Sequence, residues 1–199
     1  MSCRQNPVNL CIDATGSLVY KLHAGDESSS GHIFLYEVVA VFPAPKLTFP
    51  VAQMMSEIHH TNFIAFWLTE WVISGAPVPK QVTVDMSKAL IGACVRAFNN
   101  LISTEEYAGA CWDLIMGKPV GLPKCLIRID VAHFMKTVSS WPELHGKPRK
   151  VREFYLRSVG LLLQSASVAD FGELLEALFT VSLSETEGES VAVGCPKPM

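Results

Sequence analysis

The stretch Val8-Asn9-Leu10-Cys11-Ile12-Asp13-Ala14-Thr15-Gly16 sets the architecture. Val8, Leu10 and Ile12 alternate with Asn9 and Cys11, the period-two pattern of a strand. The strand is expected to end at Asp13, where Ala14-Thr15-Gly16 makes a turn-like break. Extended alternation resumes over Ser17–Leu22, and a polar loop, Ala24–Gly31, leads to a second apolar run, Ile33–Phe42. That run is rich in β-branched and aromatic residues and too unbroken for a half-exposed strand, so a central strand covered on both faces is expected. After Pro43 and Pro45, Phe49–Met55 reads as a third strand.

Further along, Thr61 offers an N-cap to a helix in which Phe63, Ile64, Trp67, Leu68, Trp71 and Val72 recur at helical spacing. Gly75, Pro77 and Pro79 stop it. Gln81–Val84 is a short apolar strand closing on Asp85. Ser87 can cap the next helix, with Leu90, Ala93, Cys94, Ala97 and Phe98 on its inner face. Ser103 and Glu106 form a capping box for a helix to about Met116. Leu126, Ile127 and Ile129 make another strand, followed by a helix through His133 to Trp141. Tightly joined strands first, then strands alternating with helices, predict an α/β fold: a mixed sheet flanked by helices, with parallel additions made by right-handed crossovers.

From Lys147 the chain turns all-α. One helix runs through Val151, Phe154, Leu156, Val159 and Leu163, and a second, capped by Ser167 with Asp170, runs to about Leu183. The expected organisation is an α/β core over 1–145, a helical segment over 146–183 and a disordered tail over 184–199.

Composition narrows the classes. Hydrophobic residues make up 49% of the 199 and charged ones 18%, enough apolar side chain for a core. A formal net charge of -3 excludes the strongly basic balance of a free-standing DNA-binding domain. The six cysteines are scattered with no CxxC pair, which favours reduced thiols over disulfides or a zinc ribbon. No apolar run approaches the ~20 residues a membrane span needs, and the start carries no signal pattern. A soluble, intracellular protein with no membrane partner is expected.

Two aspartates, Asp13 and Asp85, stand at the ends of apolar strands. If the strands are neighbours, the two carboxylates can share a hard cation such as Mg²⁺. Asp is also an ordinary residue at strand ends and helix caps, and spacing alone does not separate the two readings. Asp130 and His133 form an Asp-x-x-His at a helix start, a pattern that the helix dipole alone favours. His59 and His60 read as solvated residues before a cap, and Trp67, Trp71, Trp112 and Trp141 as core. Lys147, Arg149, Lys150, Arg152 and Arg157 form a basic group that suits phosphates or a solvated helix face equally.

Three of these segments together carry a resemblance. Ile12-Asp13-Ala14-Thr15-Gly16 resembles the first catalytic strand of Mutator-like and related eukaryotic cut-and-paste transposases. Val82-Thr83-Val84-Asp85-Met86-Ser87-Lys88-Ala89-Leu90 resembles their second, and Ile127-Arg128-Ile129-Asp130-Val131-Ala132-His133 their Cys/Asp-x-x-His signature. The resemblance covers roughly Val8 to Trp141 and extends less specifically into the helices that follow, similar to the family's helical insertion.

The resemblance implies a truncated RNase H-like catalytic domain. Asp13 and Asp85 would be the first two metal-binding acids and Asp130 and His133 an accessory pair near the DNA strand. Mg²⁺ or Mn²⁺ would be the cofactor and DNA the partner, met by Lys147, Arg149, Lys150 and Arg152, with the nucleus as location. A second copy or a full-length transposase would be a further partner. The family's third acid, a helix-borne Glu, has no match, since Glu185, Glu187 and Glu189 lie in the tail. The chain is therefore expected not to cleave DNA alone. Two other readings stay open: a non-catalytic interaction module that keeps the fold, and an unrelated RNase H-like nuclease with its third acid elsewhere.

Overall fold

The computed structural model describes residues 9–16, 31–42 and 47–184. The segment Ser17–Leu22, the loop read from Ala24, Pro43, Pro45 and the tail with its three glutamates lie outside the described residues. The alternation that opens the chain becomes β1 (Asn9–Thr15), whose Leu10 and Ile12 are each 1% exposed while Cys11 and Asp13 face outward. β2 (Phe34–Phe42) pairs with it antiparallel, and β3 (Leu47–Ser56) pairs antiparallel with β2. β4 (Gln81–Val84) lies parallel on the other side of β1, and β5 (Leu126–Ile129) parallel to β4. The result is a mixed five-stranded sheet in the order β3-β2-β1-β4-β5.

Two strand readings need correction. β1 does not stop at Asp13, because Asp13, Ala14 and Thr15 continue to pair with Glu37, Tyr36 and Leu35 of β2. The antiparallel ladder holds the chain extended through the supposed break. β2 is an interior strand but is not covered on both faces. Tyr36, Val38 and Ala40 are buried, whereas Leu35, Glu37, Val39 and Val41 on the opposite face are only partly so. The core gathers on one side, where those residues and their neighbours Leu10, Ile12, Val82 and Val84 meet the helices α1 (Thr61–Ile73) and α2 (Lys88–Asn99).

The helices form where their caps and apolar spacing place them. The N-cap of α1 is His60 rather than Thr61. His60 is extended, with φ -134° and ψ 138°, and its ring nitrogen accepts from the Asn62 N–H at 3.2 Å, which leaves Thr61 as the first helical residue. In α2 the expected inner face, Leu90, Ala93, Cys94, Ala97 and Phe98, is buried. Gly92 lets the two helices approach closely, since a Cβ there would lie 3.0 Å from Thr61 Cγ2. Ser103 caps α3 (Thr104–Ile115) by accepting from the Glu106 N–H at 3.1 Å, while the Glu106 carboxylate reaches back to the Ile102 N–H at 2.9 Å. α4 (Val131–Ser139) follows β5 directly.

By backbone contacts the chain divides after Thr137 into two compact units. Among the described residues the second unit has no strand. It comprises a 3₁₀ turn, Pro142–Leu144, then α5 (Arg149–Leu162) and α6 (Val168–Leu183). Ser167 caps α6 by accepting from the Asp170 N–H at 3.1 Å, as its sequence predicts. Neither α5 nor α6 has a fully buried residue, and apolar side chains such as Leu161, Phe179 and Leu183 stand exposed.

The edge strand β5 is pinned by polar groups. Asn99, at the end of α2 and 8% exposed, donates from Nδ2 to the Cys125 carbonyl at 3.0 Å and accepts from the Cys125 N–H at 2.9 Å. The hydroxyl of Tyr107 on α3 accepts from the Ile127 N–H at 2.8 Å. An amide side chain thus pairs with the backbone as a neighbouring strand would. Asn99→Ala leaves a buried donor and a buried acceptor of Cys125 without partners and is expected to cost about 2–4 kcal/mol. Urea unfolding of the variant against the parent checks this, and a change inside the error of the midpoint would show that water replaces the amide.

Candidate functional site

The parallel pairing of β1 with β4 brings the first two aspartates together. Its last pair is Ile12 with Val84, so Asp13 and Asp85 follow at the same level of neighbouring strands. Both line one pocket of ≈230 Å³, together with Asp130 and His133. All four candidate acid and histidine residues of the first unit therefore meet in one place.

Each carboxylate is oriented by backbone. Asp13 Oδ1 accepts from the Ala14 N–H at 2.8 Å. Asp85 Oδ1 accepts from the Ser87 N–H at 2.9 Å, a short turn that leads from β4 into α2. The N–H of Asp130 donates to the Val84 carbonyl at 2.7 Å, fastening the end of β5 beside Asp85. Its side-chain Oδ1 accepts from the His133 N–H at 2.9 Å and faces His133 Nδ1 at 3.2 Å. The His133 backbone N–H, with smaller help from the His133 ring, holds the Asp130 carboxyl below the usual carboxylate range.

One lining residue escapes the sequence reading. Glu37 of β2 is the register partner of Asp13 and enters the same pocket, where Gln53 of β3 donates to its Oε1 at 3.2 Å. The signal was present, since a charged residue inside the apolar run Leu35-Tyr36-Glu37-Val38 must reach water or a polar partner. The partly open face of β2 is what accommodates it.

The donor set is hard oxygen, which suits Mg²⁺ or Mn²⁺ better than a soft metal. Among the described residues no group of three or more His, Cys, Asp or Glu side chains is arranged to hold a metal ion. A pair of carboxylates still fits a Mg²⁺ that keeps most of its waters, because that ion is commonly held by one or two carboxylates. Asp13 and Asp85 each use one oxygen for a backbone N–H and retain the other.

The basic residues lie in the second unit. Lys147, Arg149, Lys150 and Arg152 are exposed, and Arg149 Nε contacts Glu153 Oε1 at 2.6 Å one turn along α5. Lys147 also borders a larger groove of ≈970 Å³ walled by Trp141, Leu144, Val151, Tyr155 and Val159. That groove is bigger than the acidic pocket but mostly apolar, so the smaller pocket is where titratable groups converge. No helix among the described residues is long and apolar enough to cross a membrane.

The Asp130–His133 pairing has a pH signature. A carboxyl whose folded pKa is depressed contributes stability above its unfolded value of roughly 3.9. That contribution is lost as pH falls through the lower folded value. The two side chains are 43% and 51% exposed, so solvent screening keeps the effect below about 1 kcal/mol. Asp130→Asn is thus expected to be slightly destabilising at about pH 6, with the difference closing as pH falls below the usual carboxylate range. Paired urea titrations across that range test it, and a gap independent of pH would remove the carboxylate from the explanation.

No protein-family profile matches the chain. It is 34% identical over 182 residues to the "120.7 kDa protein in NOF-FB transposable element" of Drosophila melanogaster. The match takes in 90% of this chain but 17% of that protein's length. The chain is thus a homologue of part of a protein encoded by a transposable element.

Proposed function

We propose that this chain is derived from a DDE-type DNA transposase, similar to the Mutator-like enzymes, and carries part of its RNase H-like catalytic domain. The family chemistry is metal-dependent cleavage and strand transfer of DNA phosphodiesters, and this chain alone does not perform it. The observation that carries the reading is the meeting of Asp13 and Asp85, from neighbouring parallel strands, in one pocket. The antiparallel strands followed by parallel additions, and the transposable-element homologue, support it.

On this reading Asp13 and Asp85 hold Mg²⁺ or Mn²⁺. Such ions, when bound, activate a water or a 3′-hydroxyl and stabilise the leaving oxygen. The protein's own part is orientation. The Ala14 and Ser87 N–H groups fix one oxygen of each carboxylate and leave the other for a ligand. Asp130, kept ionised by the His133 N–H, orients the His133 ring as an accessory pair beside the DNA strand. Lys147, Arg149, Lys150 and Arg152 contact phosphates, a sequence-independent and salt-sensitive attraction. The place of action is the nucleus, and a second copy or a full-length transposase is a further partner.

The inactivity expected of this chain rests on its sequence, which offers no match for the family's third acid, because in-line displacement by two metals needs ligands enough to fix both ions. The same observation favours a second reading, a non-catalytic module that keeps this fold to bind DNA or another protein. A Mn²⁺ titration of the 199-residue protein separates them. The transposase reading expects weak binding of one ion, weakened about tenfold or more by Asp85→Asn. No binding would leave the non-catalytic module. Metal-dependent cleavage of plain or end-nicked duplexes, abolished by Asp85→Asn, would make the chain an enzyme in its own right.

A further inference from the structure

We propose that His59 is a positioning residue for Asp85, acting through Ser87, so that a side chain outside the acidic pocket sets the geometry of one of its carboxylates. His59 lies in the connection between β3 and α1 and is exposed, as a solvated residue is expected to be, yet its ring is engaged. Its Nδ1 is 2.7 Å from the hydroxyl of Tyr36, and its Nε2 is 3.0 Å from Ser87 Oγ. The ring stacks on Phe34 at 4.8 Å and 28°, and lies nearly parallel to Tyr36 at 5.9 Å and 14°. A neutral imidazole offers one donor and one acceptor, and here both are used. Two hydrogen bonds and a stacked face leave the ring little freedom to turn.

Both ends of this bridge are informative. Tyr36 is fully buried in β2 and is the register partner of Ala14, the residue after Asp13. Burial pushes its phenol up to about 12, so it stays a hydroxyl at neutral pH. Ser87 does two things at once. Its Oγ accepts from the Leu90 N–H at 3.4 Å to cap α2, and its backbone N–H donates to Asp85 Oδ1 at 2.9 Å. One imidazole therefore ties the strand beside Asp13 to the turn that carries Asp85.

That tie matters because Asp85 lies beyond the strand ladders. The last register pairs of β4 are Val84 with Ile12 on one side and Val84 with Ile129 on the other. The turn Asp85-Met86-Ser87 is held by its own Asx bond, by the start of α2 and by His59. The cap bond, at 3.4 Å, is the longest of these contacts. Groups that orient a ligand from one step away commonly change metal affinity 10–100-fold when removed.

The proposal rests on the metal reading of Asp85 for its functional meaning, so its test uses two readouts on the full chain. His59→Phe keeps the stack on Phe34 and removes both hydrogen bonds. His59→Gln replaces Nε2 with an amide that still reaches toward Ser87. Amide hydrogen exchange at Ser87 is expected to quicken about tenfold or more in His59→Phe and to recover in large part in His59→Gln. Amides of Cys94 and Ala97 in the buried part of α2 should hold their rates. Mn²⁺ affinity should fall about tenfold in His59→Phe. Unchanged exchange at Ser87, or equal acceleration at Cys94 and Ala97, would overturn the proposal, the latter marking general destabilisation. If the variant fails to fold, nitrogen NMR of the wild-type His59 ring decides. A single fixed tautomer supports the bridge and an averaged one refutes it. Absence of Mn²⁺ binding in the wild-type chain would sink the metal reading of Asp85, while the exchange measurement still judges His59.

Discussion

The parallel ladder between β1 and β4 is the constraint on which the rest of the molecule depends. It is only four residue pairs long, from Asn9 with Gln81 to Ile12 with Val84, yet it joins chain segments some seventy positions apart. Parallel strands need a crossover connection, and here the intervening chain supplies β2, β3 and α1. Leu10, Ile12, Val82 and Val84 all point to the side covered by α1 and α2 and are at most 1% exposed. Removing side chains of this size from water contributes roughly 1.5–3 kcal/mol each, which holds a short ladder in register. A slip by one residue would turn every one of them outward.

That same register makes the acidic pocket. Side chains alternate across a strand, so burying Leu10 and Ile12 forces Cys11 and Asp13 onto the opposite face. Glu37 follows by the same rule from the burial of Tyr36 and Val38. The facing of Asp13 and Glu37 is thus a consequence of where the apolar residues must go, and Asp85 and Asp130 join them where β4 and β5 end and lead into helices. Short backbone bonds from Ala14, Ser87 and His133 then orient three of the carboxylates, with the His133 ring beside Asp130 as well.

The polar work in the first unit is done largely by side chains standing in for backbone. Asn99 pairs with both polar groups of Cys125, and the Tyr107 hydroxyl receives the Ile127 N–H. His59 adds a side-chain bridge between the hydroxyls of Tyr36 and Ser87. These are contacts of one residue type with one partner at one distance, and small changes of side chain remove them. Among the described residues no buried side-chain polar atom lacks a hydrogen-bond partner, so the connections between elements are saturated and a deletion leaves a deficit.

Much was legible in the sequence because local chemistry governs it. The strand at Gln81, the Ser87, Ser103 and Ser167 caps, the inner face of α2 and the helical character after Lys147 all follow from periodicity and capping over a few residues. The order of elements, and therefore a mixed α/β sheet, follows from the same reading. Asp13, Asp85, Asp130 and His133 were also nameable as candidates, since three are carboxylates at or near the ends of apolar runs and His133 follows Asp130 by one helical turn. Tertiary structure alone decided which strands are neighbours, and hence that those four line one pocket with Glu37. It also carried β1 past Asp13, left one face of β2 partly open and gave His59 two partners. Those outcomes depend on pairing between segments distant in the chain, where hydrogen bonds and burial are won only after the strands meet. No window of local sequence contains that information.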